Sequence, residues 1–200
     1  MGATVRNLVV LDVYIFAFSN QQAGVVFGSC KNCSLSNIFL STSNSSLSNQ
    51  VIAGQTVGGM VGCFINSSIT NCTVQNTLAK STNFFGTNSG GFIGYASSIM
   101  MQFCFNLGFS SNSGAVLAYS TYITGGLIGT CDRGSIITQS GVERGEIKAS
   151  NYSPVFFNFP QTNPKNYTTK NFFGQNKKNL DKTRFQSHSL VFHFMEKKGK

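Results

Sequence analysis

Residues Val57–Val74 read VGGMVGCFINSSITNCTV, and variants of this stretch return along most of the chain. The stretch joins a corner of the form Gly-Gly-apolar-apolar-Gly to a short segment whose polar centre is Asn71. A repeated unit of this kind indicates an architecture built by stacking, so the repeat decides the fold.

The Gly-rich corner occurs three times in full, as GGMVG, GGFIG and GGLIG, and once in degenerate form as AGVVFG. The second residues of the four pairs are separated by 35, 32 and 35 positions. We refer to these glycines as the corner glycines: Gly24, Gly28, Gly58, Gly59, Gly62, Gly90, Gly91, Gly94, Gly125, Gly126 and Gly129.

A second element keeps the same period without using glycine. A side-chain amide, followed by residues that alternate toward a core, occurs at Asn7, Asn37, Asn71, Gln102 and Gln139. From the second copy onward, each amide lies eight to ten residues after the last glycine of its corner. These amides are expected either to stack as a hydrogen-bonded ladder or simply to face solvent.

The pattern predicts an all-β fold, a parallel β-solenoid of about four to five repeats of 32–35 residues over residues 4–149. Each repeat leaves room only for strands of about three to five residues, which cannot form a stable sheet alone. Stacked repeats, in contrast, bury a continuous core. The corner glycines are expected to permit a positive φ and to leave room for the backbone of the next coil.

The recurring GG(M/F/L)(V/I)G, followed by a Ser-Ile-polar-amide strand, resembles the GLUG-type repeat of extracellular and surface-associated β-solenoid proteins of bacteria and protists. The resemblance covers residues 4–149 and implies an extracellular or cell-surface location and a role in stalks or binding faces of larger proteins. The first copy departs from the motif because Ala23 replaces a glycine and an extra residue precedes Gly28. The last copy lacks an apolar residue at Ser140.

Residues 150–200 form a different segment, a basic tail rich in Phe and Asn. All three prolines lie there, and residues 151–200 carry nine Lys/Arg against two acids, whereas residues 1–150 carry six against four. The tail is predicted to be irregular, as a cap, a decayed coil or a disordered end. Its basic and aromatic residues would suit an anionic ligand, but a solvated end explains them as well, so nucleic acid is not favoured.

Composition excludes several classes. Charged residues make up 10% of the chain, and few strong helix formers are present. Polar residues interrupt every apolar run before the ~20 residues that a membrane-spanning helix needs. Leu8–Phe18 is read as a core strand and not as a signal peptide, because Asp12 breaks it and no cleavage site is clear.

The six cysteines allow three disulfides, but the favoured interpretation is that most are small buried side chains. Cys30 and Cys33 form a lone CxxC, which lacks the further ligands of a zinc site, so no metal or cofactor is predicted. Carboxylates are too few for acid–base catalysis, and His188 and His193 are the only histidines. No catalytic residue is therefore assigned.

These observations favour a non-enzymatic structural or adhesive protein, a segment of a larger surface or secreted one, that presents Ser/Thr/Asn-rich faces to glycans or partner proteins. The first alternative is a binding module acting through its basic aromatic tail on anionic ligands. The second is a degenerate glycan-active β-helix enzyme, since the solenoid fold also hosts polysaccharide-degrading enzymes.

Overall fold

The structure is a computed structural model that describes residues 2–17, 21–44, 48–83, 87–109, 116–120, 123–132, 134–143, 145–149 and 183–185. These residues form strands and turns with no helix. The rest of the basic tail, and the predictions made for it, lie outside the described residues.

The strands stack into a parallel β-solenoid with five faces per coil. Face 1 contains the first halves of β1 (Thr4–Leu11) and β5 (Ser34–Ser41), with β9 (Ser68–Thr70), β14 (Met100–Gln102) and β19 (Ile136–Thr138). Face 2 contains the second halves of β1 and β5, with β10 (Thr73–Gln75), β15 (Phe105–Gly108) and β20 (Gly141–Val142). Face 3 contains β2 (Tyr14–Phe16), β6 (Asn49–Ala53), β11 (Thr77–Ser81), β16 (Val116–Ser120) and β21 (Gly145–Ala149). Face 4 contains β3 (Gln22–Ala23), β7 (Thr56–Gly58), β12 (Asn88–Gly90) and β17 (Ile123–Gly125). Face 5 contains β4 (Phe27–Lys31), β8 (Val61–Ile65), β13 (Ile93–Ser97) and β18 (Ile128–Cys131).

Strand pairing confirms the predicted parallel solenoid. Faces 4 and 5 each hold four strands, so the chain makes about four full coils, and a partial fifth coil follows on faces 1 to 3. Along face 1 the register runs through Thr4, Ser34, Ser68, Met100 and Ile136, which are steps of 30, 34, 32 and 36 residues. The one antiparallel pair among the described strands joins β21 to β22 (Thr183–Phe185).

The interior is filled by columns of side chains that repeat once per coil. Phe64 occupies one column between Cys30 and Ala96, so a large side chain is flanked by small ones and the column keeps its volume. The two apolar residues inside each full corner are buried at 1% exposure or less, at Met60, Val61, Phe92, Ile93, Leu127 and Ile128. Both apolar residues of each corner therefore belong to the hydrophobic core.

The corner glycines make room for the backbone, as predicted, but the prediction that they adopt a positive φ is wrong. Among the described glycines, a positive φ occurs at Gly108 and Gly134, which belong to other turns. A Cβ on Gly94 would lie 2.7 Å from the carbonyl oxygens of Gly62 and Val57, closer than real Cβ contacts come. The need at these corners is therefore close approach between coils, because stacked strands are only about 4.8 Å apart.

Candidate functional site

The corner between faces 1 and 2 carries an amide ladder in the first three coils. Asn37 Nδ2 donates to Asn7 Oδ1 at 3.0 Å, and Asn71 Nδ2 donates to Asn37 Oδ1 at 2.8 Å. The three side chains are exposed and lie directly above one another along the solenoid axis. Of the two arrangements expected for these amides, the structure therefore has the hydrogen-bonded ladder, formed by side chains at the surface.

Backbone conformation explains why asparagine stands at this corner. The φ angles of Asn7, Asn37 and Asn71 are 55°, 54° and 52°, which lie in the left-handed region. Asparagine enters this region more readily than other residues with a side chain, because its short amide bonds locally. The same residue thus makes the sharp bend and the intercoil hydrogen bond.

Gln102 does not continue the ladder, which corrects the sequence prediction. It pairs with Thr70 and Thr138, one position before the corner, and Phe103 takes the left-handed position with φ of 53°. Burial sets this register, because Met101 and Cys104 are the inward residues on either side of the corner and both are fully buried. The exposed ring of Phe103 interrupts the column.

Gln139 occupies the corner position of the partial fifth coil, where its φ is 47°. Phe103 lies between it and Asn71, so the structure places Gln139 in the column without joining it to the ladder. The ladder proper therefore has three members and ends at Asn71. No described side chain donates a hydrogen bond to Asn71 Oδ1.

Two further left-handed columns were not predicted from the sequence. The corner between faces 5 and 1 has positive φ at Asn32, Asn66, Ser98 and Gly134. The corner between faces 2 and 3 has positive φ at Asp12, Asn76 and Gly108. The available signal was the 34-residue separation of Asn32 from Asn66, which equals the separation of Asn37 from Asn71.

A shallow groove of about 630 Å³ runs along the corner between faces 5 and 1. Asn32, Asn66 and Ser98 lie along it, and the hydroxyls of Ser34 and Ser68 lie on its face 1 side, where Ser68 Oγ donates to Ser34 Oγ at 3.3 Å. The part of the groove along the fourth and fifth coils is apolar and is lined by the exposed side chains of Met100 and Ile136. Every residue that lines the groove is uncharged, so it offers hydrogen bonds and apolar contact to a neutral ligand.

The carboxylates of the repeat region are dispersed over the solenoid. Asp12, in the first coil, accepts a hydrogen bond from Ser43 N at 2.9 Å, and its hydrogen bonds to Ser43 lower the pKa of its carboxyl. Tyr95 Oη, in the third coil, donates to Asp132, in the fourth, and this bond, with desolvation, raises the pKa of Tyr95 to about 12. The described residues contain no group of three or more metal-ligating side chains.

The cysteines lie mostly inside the coils. Cys30 and Cys33 form a disulfide with Cα atoms 6.2 Å apart, across the left-handed Asn32. The other four are buried thiols: Cys63, Cys72, Cys104 and Cys131. Cys72 and Cys104 occupy one interior column, and burial raises the pKa of the Cys104 thiol. These four thiols fit the interpretation of cysteine as a small core residue.

Comparison with protein-family models, curated proteins and solved structures finds no match for this chain. The resemblance to GLUG-type repeats therefore remains a prediction from the motif. In the part of the chain that the structure describes, no helix is long and apolar enough to cross a membrane.

Proposed function

We propose that this chain is a non-enzymatic structural and adhesive segment of a surface or secreted protein, and that its outer faces bind glycans. The observation that carries the proposal is the uncharged outer surface of faces 1 and 2 over the second to fourth coils. It presents mainly hydroxyls and amides in the second and third coils, and the exposed side chains of Met100, Phe103 and Phe105 in the fourth. Between Lys31 and Asp132 the only charged residue is Lys80, which lies on face 3. Neutral glycans are recognised through hydrogen bonds and apolar contacts, which this surface provides.

Rigidity supports the structural part of the role. Each coil is joined to the next by parallel ladders on all five faces, and the backbone bonding continues through corners, as in Met60 N to Phe92 O at 2.9 Å. A surface fixed in this way loses little conformational entropy when it binds. The Cys30–Cys33 disulfide and the similarity to GLUG repeats support a location outside the cell, because disulfides persist in oxidising compartments.

The tail alternative depends on the sequence alone, since residues 150–200 lie outside the described residues apart from β22. The experiment is a glycan-array screen of the full chain, with far-UV circular dichroism to establish folding. A full-length variant with Lys177, Lys178 and Lys182 changed to Gln serves as the control for the tail. Saturable binding that survives this variant supports the proposal. Binding restricted to acidic glycans and lost in the variant supports the tail alternative, and folded protein without glycan binding refutes the adhesive role.

A further inference from the structure

One outward column on face 2 carries aromatic rings two coils apart. Phe39 pairs with Thr73, and Thr73 pairs with Phe105, so the three residues lie in line along the solenoid axis. Phe39 is 38% exposed and Phe105 is 40% exposed, while their neighbours on either side in sequence are buried. The two rings therefore face outward from fixed positions on a rigid sheet, with a hydroxyl residue between them.

The spacing of the rings follows from the stacking of coils. Neighbouring coils are about 4.8 Å apart, so rings two coils apart are separated by about 9.6 Å along the axis. This distance is close to the repeat of two sugar units in an extended β-1,4-linked glycan. In such a chain successive sugars are turned over, so every second pyranose presents the same C–H face to one side.

Hydrogen-bonding groups flank the column on the side of the ladder. The ladder ends at Asn71, whose Oδ1 receives no hydrogen bond from a described side chain, and Asn71 belongs to the same coil as Thr73. The exposed ring of Phe103 lies at the next corner position, 42% exposed. Amide and hydroxyl groups beside exposed rings can bond the hydroxyls of a sugar whose C–H face rests on the aromatic surface.

We propose that Phe39 and Phe105 form a two-ring platform for a neutral, extended β-1,4-linked glycan that runs along the solenoid axis, with Thr73 and Asn71 bonding its hydroxyls. This inference rests on the proposed glycan-binding function and specifies its site and ligand class. The neutral charge of the ligand follows from the surface, because the second to fourth coils carry no charged residue on faces 1 and 2. A glycan of this class, longer than two sugars, reaches both rings.

The test measures binding of cellohexaose and chitohexaose to the full chain by titration calorimetry. The double variant Phe39→Ala/Phe105→Ala is expected to bind the better ligand about tenfold or more weakly, because each removed ring takes away a stacking contact. Phe39→Tyr/Phe105→Tyr keeps both rings and is expected to bind like the wild type. Phe16→Ala, which removes a phenyl ring 51% exposed on face 3, is the matched control and is expected to leave binding unchanged.

Laminarihexaose, a curved β-1,3-linked chain of equal length, is expected to bind more weakly than the better of the two straight ligands. Circular dichroism and thermal melts of each variant separate loss of binding from loss of folding, and the Tyr double variant provides a second folded comparison. Wild-type binding that the Ala double variant leaves intact overturns the platform while the adhesive function stands. Folded wild type that binds no glycan on the array overturns both, and a preference for laminarihexaose overturns the ligand class.

Discussion

Replacement of Asn37 tests the physical basis of the ladder. Asn37→Ala removes two side-chain hydrogen bonds, to Asn7 and from Asn71, and places alanine at a φ of 54°. The left-handed conformation costs an ordinary residue about 1–2 kcal/mol. The two bonds are exposed, so each contributes near the lower limit of about 0.5 kcal/mol. The free energy of unfolding is expected to fall by about 2–3 kcal/mol.

Asn37→Gly separates the two contributions. Glycine accepts the left-handed φ, so it loses the amide bonds without the strain and is expected to be about 1 kcal/mol more stable than Asn37→Ala. Ser36, in the extended strand one residue earlier, is the matched control site, where glycine should be less stable than alanine. Urea unfolding followed by far-UV circular dichroism suits this chain, which has no Trp. If the Ala variant at position 37 is as stable as the Gly variant or more stable, the proposed strain at the corner is wrong. If the Gly variant is as stable as the wild type, the ladder contributes nothing to the free energy of unfolding.

Three further predictions concern the glycines, one tyrosine and the thiols. Gly94→Ala is expected to lower the free energy of unfolding by about 3 kcal/mol or more, because its Cβ would meet two backbone carbonyl oxygens of the preceding coil. Gly134→Asn is the control and should be nearly neutral in the same urea experiment, because Gly134 has a left-handed φ that asparagine tolerates. Tyr95 should ionise near pH 12 in an ultraviolet titration compared with Tyr95→Phe, and Asp132→Asn should lower its pKa. Since the folded-state pKa is above the unfolded value of 10.0, the stability from this hydrogen bond is complete below pH 10 and is lost as pH rises through about 12. A thiol reagent should react slowly with the native protein and then titrate four thiols in urea; rapid reaction of the native protein would contradict their burial. The four are Cys63, Cys72, Cys104 and Cys131.

The architecture could be predicted because one physical requirement repeats in every coil. Each Gly-Gly-apolar-apolar-Gly corner must bring two backbones together and bury its apolar pair. The same residue types therefore recur once per coil at nearly the same spacing. The pairing of Gly58 with Gly90 and of Gly90 with Gly125 follows that spacing directly. The predicted positive φ of these glycines was wrong. A glycine can serve either a close approach of two backbones or a positive φ, and the sequence does not distinguish the two uses.

The amide column was predicted for Asn7, Asn37 and Asn71 but not for the fourth coil, and the reason is physical. A ladder position is defined by the φ of the corner, and the corner is fixed by which residues enter the core. At Met101 and Cys104 the core positions place Phe103 at the bend, so Gln102 moves one residue into the strand although it looks equivalent in sequence. A one-residue shift reverses the direction of a strand side chain, which is why a single amide cannot set the register against two buried residues. The same shift exposes Phe103 near Phe105, so the step that ends the ladder also places a third exposed ring beside the proposed two-ring platform.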